Sequence, residues 1–538
     1  MWVGLSFLIG AWLLGSPITA LAQDSPAAAE EATLRVATRL VQAVVIAETK
    51  GGEPVTDLRR EDFKLLDGGR EEIISIFASG VSGARDSSQL SLPSGTFSNQ
   101  FESTGSGSFS GTVVLLDGLN TRTEDQAYAR GQIMKFLTQL KPEDRVGLYV
   151  MGRGPRVLQE ITANSSDLLK VLSGYRGEPN RSLEAPLQDP EVSMPAHLDA
   201  WLGELSFGLF DYYAQDRAFR TVRMLVAIAN HLQRLPGRKN LIWVAGSFPA
   251  WFGSNTVAPW RKPGHDRQEL GPEIERATRA LNNANLAIYP VDARGLIAPQ
   301  EYSASRAAIS TQIGRSETET FKSMRILAER TGGHAFYNNN DLRGALRQAS
   351  DDGLASYLLG YYPTHKSWNG KFREIKVSVT RPDLQLRYRR GYFAQPDIPT
   401  APEYRQADLD AAMWNPLDAT LIGLTVQVSA SRWATDFNLQ IDPRDVFFKT
   451  NGSKWECGLD IWLVQIDSKE HHLDTLGRVA NLSVGQSTYE HDLQARVLPL
   501  TFPLKLLPET RLVRVLVRDI HTGALGSVTI PTKRMVSG

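Results

Sequence analysis

Few residues in this chain are of the type and spacing that covalent chemistry needs. Asp117 and Asp292 each close an apolar run, so both sit at the end of an expected strand. Two carboxylates on one sheet edge can serve as general acid and general base, as hydrolases use them, but carboxylates at strand ends are also common without any catalytic task. Of the nine histidines, His265, His334, His365, His471 and His472 are scattered, with no ligand spacing. Gly332-Gly333 is not followed by Gly-Lys-Ser/Thr, so it reads as a helix stop and not as a phosphate loop. The chain has no Gly-x-Ser-x-Gly, no His-Glu-x-x-His and no Cys/His pair. Its one cysteine, Cys457, cannot form an internal disulfide, and it falls on the apolar face of an alternating strand, the place of a core residue. The balance is against an enzyme.

The elements that position Asp117 and Asp292 are legible as a strand-helix alternation that starts at Gly111. Thr112 to Leu116 is a continuous apolar run, expected of a parallel strand covered on both faces. Thr123 is placed to cap a helix in which Ile133, Phe136, Leu137 and Leu140 recur at helical spacing. Further strands are expected at 145–151, 240–244, 287–291 and 334–337, with helices between them and a Pro- and acid-rich insertion over 178–195. Such alternation predicts a doubly wound α/β sheet over 111–354. A sheet of that kind presents ligand-binding groups at the carboxyl ends of its strands, where Asn120, Ser247 and Asp292 all fall.

The flanks have a different grammar. Residues 33–80 and 355–395 show one-sided apolar alternation, with too few strands in either piece to bury a core alone, so the two are expected to form one β domain into which the α/β unit is inserted. Residues 81–110, dominated by Ser and Gly, read as a flexible linker. Alternating segments over 400–538 predict a β-sandwich. The arginines of Arg387-Tyr388-Arg389-Arg390 are expected on a solvated strand face. The 59 basic and 59 acidic residues cancel, which gives no electrostatic footprint for nucleic acid. Residues 1–22 carry no charge, hold an apolar run broken at Pro17, and end in Ala20-Leu21-Ala22, which fits a signal peptide cut before Gln23. An uncleaved anchor is the rival, and membrane contact is expected only through this segment.

Several phrases, in order, carry a resemblance. They are Leu115-Leu116-Asp117-Gly118-Leu119-Asn120-Thr121, Pro236-Gly237-Arg238-Lys239-Asn240 and Tyr289-Pro290-Val291-Asp292-Ala293-Arg294. Ala328 to Gly333, Tyr357 to Pro363 and Arg387 to Tyr392 follow, with Glu61-Asp62-Phe63 near the start. Over roughly 33–395 the chain resembles the von Willebrand factor A-related family of exported acidobacterial proteins. The resemblance implies an extracytoplasmic binding module that engages a protein or glycan partner, and no known reaction. It also implies a place for Mg²⁺ or Ca²⁺ on an Asp-x-Ser-x-Ser loop. Here Asp117 matches the first ligand and Thr121 the fifth position, but Leu119 stands where the first Ser belongs. The strand that often ends in Thr-Asp-Gly ends in Ala245-Gly246-Ser247, without the second carboxylate. Asn120, Ser247 or Asp292 could compensate; otherwise Asp117 and Asn120 cap the helix and hydrogen-bond the loop. The expectation is no cofactor and an interaction protein with a degenerate metal loop. An envelope scaffold and a carboxylate-dependent hydrolase are the alternatives.

Overall fold

The computed structural model describes residues 41–79, 92–100, 111–179, 196–235, 237–246, 270–294, 324–339, 341–354, 356–365, 367–369, 371–394, 409–410, 412–430, 434–489 and 497–535. The expected signal segment, residues 33–40, most of the 178–195 insertion, His265 and Ser247 lie outside them.

Chain-distant strands build the first unit. β1 (Val41–Thr49) pairs antiparallel with β11 (Ser356–Tyr361), Val44 opposite Leu358, and with β13 (Leu384–Tyr388); β4 (Ile74–Ser79) flanks β11. In the second sheet β2 (Phe63–Asp67) pairs with β12 (Phe372–Val379), and β3 (Arg70–Glu72) and β14 (Gly391–Phe393) form its edges. Val45, Phe63, Leu65, Tyr357, Leu359 and Val377 share one core, so residues from both ends of the insertion are buried together. The Tyr357 hydroxyl donates to the Val55 carbonyl at 2.8 Å and accepts from the Leu58 amide at 3.0 Å, which pins the 55–58 loop to β11. The expected solvated face of 387–390 is corrected here. Arg387 is part-buried and forks onto Asp352 and Glu48, because burial of those two carboxylates demands a cation; Arg390 remains exposed.

The inserted unit carries a five-stranded sheet in the order β10-β9-β6-β7-β8. β6 (Gly111–Asp117), β7 (Val146–Met151), β9 (Lys239–Ala245) and β10 (Leu286–Asp292) are parallel, and every residue in them is buried. β8 (Pro155–Thr162) is the antiparallel edge. Helices cover both faces, which is why these strands are apolar without alternation. On one face α3 (Ala196–Leu232), α4 (Leu270–Asn283) and α5 (residues 324–331) pack on Leu115, Tyr149, Trp243 and Ile288. On the other, α1 (Thr123–Leu137), α2 (Ser165–Gly174) and α6 (Leu342–Leu354) pack on Val114, Leu148, Val244 and Tyr289.

Two local expectations change. Thr123 is the first residue of α1 and not its cap; Arg122 holds the cap position without a side-chain bond, and Glu124 and Asp125 in the first turn complement the helix dipole instead. The strand expected at 334–337 shrinks to one parallel bridge between Phe336 and Val291. Phe336 exchanges two ladder bonds with Pro290 and Asp292, and then Asn338 turns the chain away at φ 56°.

The C-terminal unit is a sandwich. β15 (Leu424–Ala430), β16 (Thr435–Ile441) and β20 (Leu498–Leu504) face β17 (Lys449–Asn451), β18 (Lys454–Ile466), β19 (His472–Gly485), β21 (Leu512–Asp519) and β22 (Leu525–Pro531). Val426, Phe437, Leu439, Leu459, Ile461 and Val515 fill the space between the sheets. Cys457 is in this core, its thiol pushed up to about 12 by burial, so it is not nucleophilic. Within 81–110, expected as a flexible linker or loop, the described residues 92–100 correct that reading. Thr96–Ser98 forms β5, an edge strand on β15, with Phe97 in the sandwich core. The Asn99 side chain fixes it by donating to the Ala419 and Ile422 carbonyls and accepting from the Leu424 amide.

Candidate functional site at the carboxyl edge of the sheet

The chain leaves β6 toward β7 on one side and toward β9 on the other, so the carboxyl end of β6 is the switch point of the sheet. Asp117 occupies it. Its Oδ1 accepts the Asn120 backbone N–H at 2.9 Å. Its Oδ2 accepts the Trp243 indole N–H and the Asn120 side-chain amide, both at 2.8 Å. The same Asn120 amide group donates to Thr221 on α3 at 2.8 Å, which locks loop, strand and helix into one network. Burial raises the Asp117 carboxyl to about 6, against the opposing pull of these N–H donors.

Thr121 is turned to a structural task. Its hydroxyl accepts the Gly246 N–H at 2.9 Å, and its carbonyl accepts from the Gln126 side chain at 2.8 Å. A side chain at Gly246 would sit 3.2 Å from the Thr121 methyl and 3.4 Å from an Asp125 oxygen, so glycine permits this approach. Asp125 is raised by burial and by neighbouring Glu124. Asp292 lies on β10, two strands from Asp117, or roughly 10 Å at ordinary strand spacing. Arg294 closes on it: backbone N–H and Nε reach Oδ1 at 2.9 and 3.0 Å, and Nη2 reaches Oδ2 at 2.8 Å.

The structure therefore brings Asp117, Asn120 and Thr121 together and holds Asp292 apart. A hard cation needs several oxygen lone pairs directed at one point. Both Asp117 oxygens face N–H donors, the Thr121 oxygen accepts an amide, Asp292 faces a guanidinium, and Leu119 is buried where a hydroxyl would be needed. These donors do not fit such an ion. Among the described residues no group of three or more His, Cys, Asp and Glu is arranged to hold a metal. Nor do the two carboxylates face each other as an acid/base pair would.

Beside the Asp117 loop lies a feature that the sequence reading missed. A cleft of about 920 Å³ opens between Gly118-Leu119, the β7–β8 turn, α3 and the C-terminal unit at Pro416 and 468–470. Arg153, Arg156, Arg220 and Lys469 line it, with Glu178 and Glu470. The available signal was Gly152-Arg153-Gly154-Pro155-Arg156, two cations in a Gly/Pro turn straight after a parallel strand.

No family model and no curated protein matches the chain. Solved structures similar to part of it include an aerotolerance-related membrane protein from Bacteroides fragilis, at 12% identity and TM-score 0.25, covering 45% of this chain and 98% of that one. BatB from Bacteroides thetaiotaomicron is similar at 13% identity and TM-score 0.24, covering 45% and 96%. The vWF domain of the type V pili tip protein Mfa5 from Porphyromonas gingivalis stands at 10% identity and TM-score 0.24, covering 45% and 94%.

Proposed function

We propose that this chain is an exported, non-enzymatic binding protein of von Willebrand factor A-like type, which engages an extracytoplasmic partner at the carboxyl edge of its doubly wound sheet. The observation that carries this reading is the pairing of an open cleft with saturated carboxylates. The edge offers volume and charge for a ligand, while Asp117 and Asp292, the groups a hydrolase would use, are held by internal donors. Binding then proceeds without a bridging metal. No described helix is long and apolar enough to cross a membrane, and export rests on the cut after Ala22.

A photo-crosslinking residue placed at Lys469 in the cleft, and a second at Lys64 on the distant β2 face, tests the surface directly. Crosslinks to envelope material from position 469 and not from 64 support the reading. Equal labelling from both, or turnover of substrate by the purified mature chain, overturns it.

A further inference from the structure

Among the described residues that line the cleft six are charged, four cations against two carboxylates, an excess of positive charge on a chain whose total charge is zero. They come from four places in the sequence: the β7–β8 turn with the start of β8, the 178 segment, helix α3, and the 468–470 turn of the sandwich. Their convergence is a product of the fold. The cations are also only lightly engaged. Arg220 sits 3.5 Å from Asp216 and donates to the Arg153 carbonyl at 3.2 Å. Arg156 reaches Glu178 at 3.4 Å, long for a charge-assisted bond.

Glu178 shows what the niche takes. Its carboxylate accepts the Arg153 backbone N–H at 3.4 Å on one oxygen and the Arg156 guanidinium on the other. It lies directly over Gly152, where a built Cβ would stand 2.3 Å from the carboxylate oxygen. A backbone amide, a guanidinium and a glycine floor make a seat for an anion, and the chain's own carboxylate occupies it at distances that leave it easily displaced.

The remaining lining decides the ligand. Among its described residues the only large apolar side chain is Leu119, which is buried, and none is aromatic. Peptide recognition relies on buried apolar or aromatic anchors, and the described lining offers them no pocket. Hydroxyl groups interleaved with anions suit it better: cations take the anions, and Glu470 accepts from the hydroxyls. Resting on the reading of this edge as the binding surface, we infer that the cleft binds an acidic glycan, with Glu178 holding the place of a ligand carboxylate or sulfate.

The test is titration of the mature chain with labelled polygalacturonate, dextran sulfate, neutral dextran and polyglutamate, at low and at physiological salt. One or both acidic glycans should bind and weaken with salt, neutral dextran should not bind, and the stronger polymer identifies the anion. Arg153→Gln and Arg156→Gln, both at exposed positions, should each lose about tenfold in affinity. Glu178→Gln should gain affinity by several-fold, the sign a merely structural glutamate would not give. Polyglutamate binding as tightly as either glycan, absence of glycan binding, or weaker binding by Glu178→Gln overturns the inference. In those cases edge-specific crosslinking from position 469 would still stand for a different partner, so the two readings fail separately.

Discussion

Replacing Asp117 by Asn separates two effects that the structure superimposes. The first does not depend on pH. Asn keeps an acceptor for the Asn120 backbone amide, but its own NH₂ would face the Trp243 indole and Asn120 amide donors. Orphaned donors of this kind cost about 1–3 kcal/mol each. The second effect is linkage. In the unfolded chain Asp117 ionises near its ordinary value of 3.8, but in the folded protein near 6. Between those values the native state holds a proton that the unfolded state has released, so stability falls as pH rises. Above the folded value both states are ionised and the loss is complete. Two pKa units at about 1.4 kcal/mol each give a loss of roughly 3 kcal/mol, undiscounted for solvent because the carboxyl is fully buried. The variant lacks this slope. Wild type should therefore exceed Asp117→Asn most at about pH 4, and the gap should close by about 3 kcal/mol toward pH 7. Urea unfolding, read by pulse-labelled amide exchange over 111–117 at one labelling pH, isolates this unit from the other two. A gap that stays constant or widens with pH refutes the assignment of buried, unpaired charge to Asp117.

The donor geometry predicts no micromolar affinity for Mg²⁺ or Ca²⁺ by calorimetry; such affinity, lost in Asp117→Ala, would show that the loop rearranges to admit a cation. Arg294→Ala strands the buried Asp292 carboxylate, and amide exchange over 286–292 should report a loss of about 2–3 kcal/mol, partly recovered by Arg294→Lys. His231 is pulled down by burial but raised overall by Glu160 at 3.3 Å and the Asp418 carbonyl at 2.7 Å. The stability it lends is full below the ordinary histidine value and is lost as pH rises through the raised one, and Glu160→Gln should flatten that dependence in exchange over the end of α3. N-terminal sequencing of envelope-derived protein should read Gln23 first, and an intact Met1 in the membrane fraction would establish an anchor.

The strands that carry Asp117 and Asp292 were legible because full burial on both faces forces an uninterrupted apolar run, a signal with few other causes. β5 was not: three residues with one apolar side chain, Phe97, carry no period, and its place is set by Asn99 bonds to carbonyls more than 300 residues away. Asp117, Asn120 and Thr121 could be named from their spacing, yet their bonding partners Trp243, Thr221 and Gly246 come from distant strand and helix positions. The Asp117–Asn120 bonds are local, three residues apart; the Asp292–Arg294 closure is local too, two residues apart, but there the residues were quoted without their pairing being seen. The cleft was invisible for the strongest reason, since Arg156 and Lys469 share a wall only after two units have docked.

The pairing of β1 with β11 and of β2 with β12 spans about three hundred residues, and this imposes a timetable on synthesis. When β1 to β4 first emerge, their partners do not yet exist. For the time needed to make the intervening chain, Val45, Phe63 and Leu65 have nothing to cover them and the strand edges stand open to any other extended segment. Closing so long a loop is also intrinsically slow. A chaperone that shields the first eighty residues should therefore govern yield, and a permuted chain that starts near residue 356 and carries 41–79 directly after 394 should depend on it far less.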